Sequence, residues 1–171
     1  LLVLFIIFDL KGGQHFWTAL GLTTALTLIL DTLGGAGLQQ LSLLGYDPIA
    51  GARYYGMGNE YMGVLIGSTL LGSITIVGGV PLEKFFTSTP GGKGEKAAVL
   101  GILLAYLLII FLFASPAFGA NLGGTLAAGV AFGAAWAGLG VSRAGKTGRL
   151  KAMGCFIMIA LLLLWFLNFP G

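Results

Sequence analysis

Between Gly45 and Gly63 the chain gathers more groups able to do chemistry than anywhere else along its length: Tyr46, Asp47, Arg53, Tyr54, Tyr55, Asn59, Glu60 and Tyr61, with glycines at 45, 51, 56, 58 and 63. Arg53 presents a planar fork of donors that can grip two oxygens at once. Tyr54 and Tyr55 add hydroxyls beside it. Asn59 and Glu60 open a long apolar run, so they fall in the first turn of a helix, where N–H groups lack partners and the dipole is positive. Together these groups suit a phosphate or carboxylate, with Arg53 holding the anion, Tyr54 and Tyr55 bonding it, and Glu60 or Asp47 compensating Arg53. The same residues also make a salt-bridged helix cap with tyrosines at a lipid headgroup boundary. A second motif, Ser115 to Thr125, holds Asn121 and Thr125 four residues apart on one helix face. Asn121 is expected to approach Glu60 and Arg53 and complete the site. A pair of ordinary helix caps would carry the same signature.

Other signals fall away. Gly140 to Thr147, with Gly145, Lys146 and Thr147 at its end, matches the spacing of a phosphate-binding glycine loop. That loop works between a β-strand and a helix; here it joins two apolar runs, so it reads as a basic turn and no nucleotide is expected. His15 has no cysteine or carboxylate neighbour, so it reads as an interfacial residue and no metal is expected. Cys155 is the single cysteine and sits in an apolar run, where packing is its expected role. No nucleophile–base pair and no pair of catalytic carboxylates is recognisable, and no cofactor is implied.

The elements that must position these residues follow from composition. Of 171 residues 57% are hydrophobic and 9% charged, against about 25% charged in a soluble domain. So few charges cannot cover a solvated surface, and lipid is the expected solvent. Crossing the hydrocarbon takes about 20 apolar residues. Five stretches qualify: His15–Leu30, Asn59–Val80, Ala97–Phe113, Asn121–Val141 and Ala152–Phe169. Leu1–Phe8 is too short and reads as the end of a truncated span, so the chain is expected to be one transmembrane domain, residues 1–171, of a larger protein. The expected fold is all-α, a polytopic transmembrane bundle of five full spans.

The short connections alternate in charge. One face collects Lys11, Lys84, Lys93, Lys96, Arg143, Lys146, Arg149 and Lys151 with Asp9, Glu83 and Glu95, a net of +5; the other holds Arg53 with Asp31, Asp47 and Glu60, a net of −2. Basic loops stay in the cytoplasm, so the bacterial inner membrane is the expected address and the Arg53 motif is extracytoplasmic. The basic loops are short and lack interleaved aromatics, which argues against nucleic acid.

Glycines four apart, at 63 and 67, 119 and 123, and 129 and 133, predict that the second and fourth spans form a tightly packed interior pair, with the Leu- and Phe-rich third and fifth spans facing lipid. Leu38–Leu44 could lie in the interface as a short amphipathic helix. No internal repeat is visible.

The run Leu43–Gly63, followed by Gly119–Gly124, resembles the membrane portion of a group of uncharacterised bacterial polytopic membrane proteins. In that group an extracytoplasmic part, in some members like a degenerate alkaline-phosphatase domain, precedes several membrane helices. The resemblance implies a cell-envelope setting and an extracytoplasmic domain of the same protein as a partner. Members carry aspartate where Asn121 stands here, which weakens an acid–base or metal role for that position. Three functions remain open on sequence: binding or transport of an anionic ligand such as a lipid-linked phosphate envelope precursor, an enzyme acting on such a lipid with Glu60 as base, and a structural anchor.

Overall fold

The computed structural model of the chain describes residues 14–42, 56–78, 93–140 and 145–169. It is all-helical, with no strand among the described residues. The helices are α1 (Gln14–Leu33), a single turn α2 (Gly37–Gln40), α3 (Asn59–Gly78), α4 (Lys93–Ala114), a 3-10 turn (Pro116–Phe118), α5 (Leu122–Gly140) and α6 (Gly145–Asn168). All but α2 and the 3-10 turn are long and apolar enough to cross a membrane, giving five spans. The chain is therefore a multi-pass membrane protein. The expected truncated span Leu1–Phe8, the turn after it and the loop positions Asp47, Arg53, Lys84 and Arg143 lie outside the described residues.

The five spans alternate in direction. Asn121 and Asn59 bond through their side chains, which puts the starts of α3 and α5 at one end of the bundle. Asn168 donates to the carbonyl oxygen of Ala114 at 2.9 Å, which brings the ends of α4 and α6 to that same end. Ser42, just past α2, bonds the Tyr61 hydroxyl and so brings the end of α1 there too. The helix starts bearing Lys93, Lys96, Lys146, Arg149 and Lys151 are consequently at the opposite end.

The packing partners differ from those the glycine spacing predicts. The most extensive pairs are α1 with α3 and α5 with α6, while α3 and α5 meet less broadly. Gly63 and Gly67 face open space. The close crossing is instead at Gly21 and Gly72: a Cβ on Gly21 would stand 2.6 Å from the backbone nitrogen of Gly72 and 2.6 Å from the carbonyl oxygen of Ser68. Thr18 and Thr75 hydrogen-bond across the same interface at 2.8 Å. Gly129 and Gly133 do admit a neighbour, but it is α6, through Phe156, Ala160 and Met153.

The third span is not lipid-facing as a whole. Tyr106, Ile109, Ile110, Leu112 and Phe113 of α4 are buried, and α4 is the most enclosed of the five spans. Tyr106 explains why. Its hydroxyl in the middle of an apolar helix must find a partner, and it meets Ser73 of α3 at 2.6 Å. Its ring stacks on Phe132 of α5 at 4.2 Å and meets Phe156 of α6 edge-on at 6.2 Å. One side chain thus ties α4 to three other helices. In lipid, where apolar burial gives little drive between helices, such contacts and hydrogen bonds carry the association. The fifth span is exposed along most of its length, as predicted; Cys155 is on that exposed surface rather than packed.

Candidate functional site

The end of the bundle bearing Asn59 and Asn121 is built from two tight connections pressed together. In the first, Gly56 has φ +88, a backbone conformation that only glycine adopts without strain, and a Cβ there would collide with the carbonyl oxygen of Phe118. Met57 is buried, and the carbonyl oxygen of Gly58 accepts from Met62 N–H at 3.0 Å, which starts α3. In the second, α4 ends at Ala114 and the 3-10 turn reverses the chain within a few residues. Asn121 N–H then reaches back to the carbonyl oxygen of Phe113 at 2.9 Å. Gly124 leaves room for Met62, whose sulfur fills the space a side chain would need. The two motifs singled out in the sequence are therefore in backbone contact.

Asn121 organises this junction. Its side-chain oxygen accepts from Gly124 N–H at 2.9 Å, the bond of a helix N-cap, and its side-chain nitrogen donates to Asn59 Oδ1 at 2.5 Å. Its carbonyl accepts from both the N–H and the hydroxyl of Thr125, at 2.9 and 2.7 Å. Asn121 and Thr125 are buried, so most of the hydrogen-bonding capacity of Asn121 is committed to the protein itself. Asn59 is exposed, and among the described residues its side-chain N–H groups bond nothing further. Glu60 is exposed in the first turn of α3, with Oε2 beside Gly58. Of the predicted site residues, the structure thus brings Asn59, Glu60 and Asn121 to one end of the bundle. Arg53, Tyr54 and Tyr55 lie outside the described residues, and with them the expected pairing of Arg53 with Glu60. The described charged side chains at this end, Asp31 and Glu60, are both acidic, so an anion site here depends on Arg53.

A polar network beside the junction was not foreseen. The Asp31 carboxylate accepts from the N–H groups of Leu38 at 2.9 Å and Gln39 at 3.0 Å, folding α2 back over the end of α1. Gln39 points inward: its side-chain nitrogen donates to the Thr32 hydroxyl at 3.0 Å, while its Oε1 is buried without a hydrogen-bond partner among the described residues. Leu38 and Leu41 point outward, so this turn hides its polar residue rather than its apolar ones. Ser42 and Tyr61 bond each other and connect the network to α3. The signal available in the sequence was Asp31 at the end of a span, followed by Gly34 and Gly35.

Among the described residues no group of histidine, cysteine and carboxylate side chains is placed to hold a metal ion. Gly145, Lys146 and Thr147 lie in the first turn of α6, directly continuous with a membrane-spanning helix. That is not the strand-to-helix setting a phosphate-binding glycine loop needs. Fold and site together define an all-helical, multi-pass membrane protein with a polar junction at one end of its bundle. Compared with family models, curated proteins and solved structures, the chain matches none.

Proposed function

We propose that this chain is an inner-membrane module of the bacterial cell envelope, with its basic loops in the cytoplasm and an outward-facing polar site for an anionic ligand. The ligand is the phosphate of a lipid-linked envelope precursor, bound or transported. Arg53 holds the phosphate through its fork, Tyr54 and Tyr55 bond it, and Asn59 and Glu60 line the helix start beside it, with Glu60 balancing Arg53. Asn121 fixes the geometry from behind. The observation that carries this reading is the Asn121–Asn59 bond. It joins the starts of α3 and α5, so two positive helix ends converge at one end of the bundle, and Arg53 precedes Asn59 by six residues in sequence. The arrangement is similar in kind to the polar helix ends at transporter binding sites.

The test is the lipid that travels with the protein. Wild-type protein and Arg53→Ala, purified side by side in mild detergent, are extracted and their lipids identified by mass spectrometry. A phosphate-bearing lipid retained by wild type and depleted about tenfold or more in a stable Arg53→Ala is expected, since a charged hydrogen bond to phosphate contributes about 1.5–3 kcal/mol. Equal retention by both proteins would leave the module as an anchor.

A further inference from the structure

The exposed side of α6 is one continuous stripe with a cation at its head. Lys151, Met158, Leu162, Trp165 and Phe169 follow each other at helical spacing, and all are exposed. The rise from Lys151 to Trp165 is about 21 Å at 1.5 Å per residue. A lysine that snorkels away from the hydrocarbon adds several ångströms, which brings the stripe near the ~30 Å of a bilayer core. Trp165 and Phe169 stand at the end where aromatic rings sit at the headgroups. At the other end Lys146 and Arg149 are also exposed, five and two residues before Lys151, and none of the three side chains is hydrogen-bonded or ion-paired to another described residue. Among the described residues, the helix starts at that end carry Lys93, Lys96, Lys146, Arg149 and Lys151 against Glu95.

We infer that this face of α6 is a docking surface for anionic phospholipid, taken from the leaflet at the Lys151 end. Lys151 holds the headgroup phosphate at the head of the stripe, Lys146 and Arg149 add positive charge around the same end of the helix, and Met158 and Leu162 lie against the acyl chains. Charge complementarity selects this occupant: basic residues outnumber acidic ones five to one among the described residues at this end, and the three cations of α6 border lipid directly, because α6 is the least enclosed span. Each basic side chain near a membrane surface strengthens attraction to anionic lipid about fivefold. The surface is at the opposite end from Asn59 and Asn121 and does not depend on the proposed outer site.

The test uses the whole chain in mild detergent, titrated separately with phosphatidylglycerol and phosphatidylcholine, with bound lipid counted by native mass spectrometry. Phosphatidylglycerol is expected to bind about tenfold or more tightly than phosphatidylcholine, with the preference falling as salt is raised. The triple variant Lys146→Gln, Arg149→Gln, Lys151→Gln should bind the two lipids alike. Equal binding by wild type would overturn the inference. So would a preference that survives the triple variant, or one lost in Arg53→Gln instead, which would move the anion to the outer site. Inorganic phosphate that competes at millimolar concentration would replace the lipid surface with an ion site. Should the triple variant fail to fold, Lys151→Glu gives the second reading, with the preference for phosphatidylglycerol expected to fall about fivefold or more; an unchanged preference would overturn the inference. Occupancy of the face itself is read from the fluorescence of a tryptophan placed on the acyl-chain part of the stripe, Met158→Trp, after Trp17→Phe, Trp136→Phe and Trp165→Phe. Quenching by brominated phosphatidylglycerol is expected, and its absence would mean that protein, such as a second copy, covers the stripe.

Discussion

Asn121 donates its side-chain N–H to Asn59 Oδ1 while its side-chain oxygen caps α5 by accepting from Gly124 N–H, so one buried residue fixes both the start of one helix and its position against the next. An aspartate at 121 could still cap α5. It could not donate to Asn59, but an Asn59 amide turned over would donate to it instead. The junction is thus compatible with either residue as a matter of geometry, without an acid–base role.

The first prediction follows from that. Asn121→Ala loses the cap and the interhelical bond and should destabilise the protein by about 1–2 kcal/mol. Asn121→Asp should stay close to wild type. Thermal unfolding in detergent separates the two; an Asp variant as unstable as Ala would show that the bond to Asn59, not the cap, holds the junction.

Glycines on the same bundle should behave oppositely. Gly21→Ala forces a methyl group against the backbone of Gly72 and Ser68 and should cost about 1–3 kcal/mol. Gly63→Ala and Gly67→Ala meet nothing within 4 Å and should be neutral or gain up to about 1 kcal/mol from helix propensity. Melting temperatures that fell for Gly63→Ala and Gly67→Ala but not for Gly21→Ala would contradict the α1–α3 crossing.

These two sets of glycines also show how far the sequence could be read. The five spans and their alternation follow from local apolar length, which each segment carries by itself. Which helices touch depends on pairs of distant residues. A glycine signals that close approach is allowed, not that it occurs, so Gly63 and Gly67 were indistinguishable from Gly21 and Gly72. Tyr106 held better information, since a hydroxyl inside the most apolar span has to be partnered. At the site, composition marked Asn59, Glu60 and Asn121, and their common location followed from topology. The direct Asn59–Asn121 bond and the inward turn of Gln39 depended on loop geometry, which no periodicity encodes.

The Tyr106–Ser73 pair yields an asymmetric prediction. In Tyr106→Phe the Ser73 hydroxyl still bonds the Leu70 carbonyl oxygen at 3.0 Å, so the loss should be about 0.5–1.5 kcal/mol. Ser73→Ala leaves the buried Tyr106 hydroxyl without this partner and should cost more, about 1–3 kcal/mol. Removing the ring in Tyr106→Ala should cost about 3–5 kcal/mol through the lost packing against Phe132 and Phe156. Equal effects of Ser73→Ala and Tyr106→Phe in a denaturation series would argue that the hydroxyl reaches another acceptor.

Orientation is open to a direct chemical test. In a Cys155→Ser background, Ala50→Cys should react with a membrane-impermeant thiol reagent from outside intact cells, and Ser142→Cys only after the cells are opened. Labelling of Ser142→Cys alone in intact cells would invert the proposed topology and place the polar junction in the cytoplasm.

The anion site itself stands or falls on the shape of one cation. Arg53→Lys keeps the charge but replaces a planar fork with a point charge that cannot hold two phosphate oxygens in parallel. The decisive measurement is retention of the co-purifying phosphate-bearing lipid by Arg53→Lys, with thermal stability recorded on the same preparation. A variant as stable as wild type that retains about a tenth of the lipid or less is the predicted result. An equally stable Arg53→Lys protein that retains the lipid in full would contradict it.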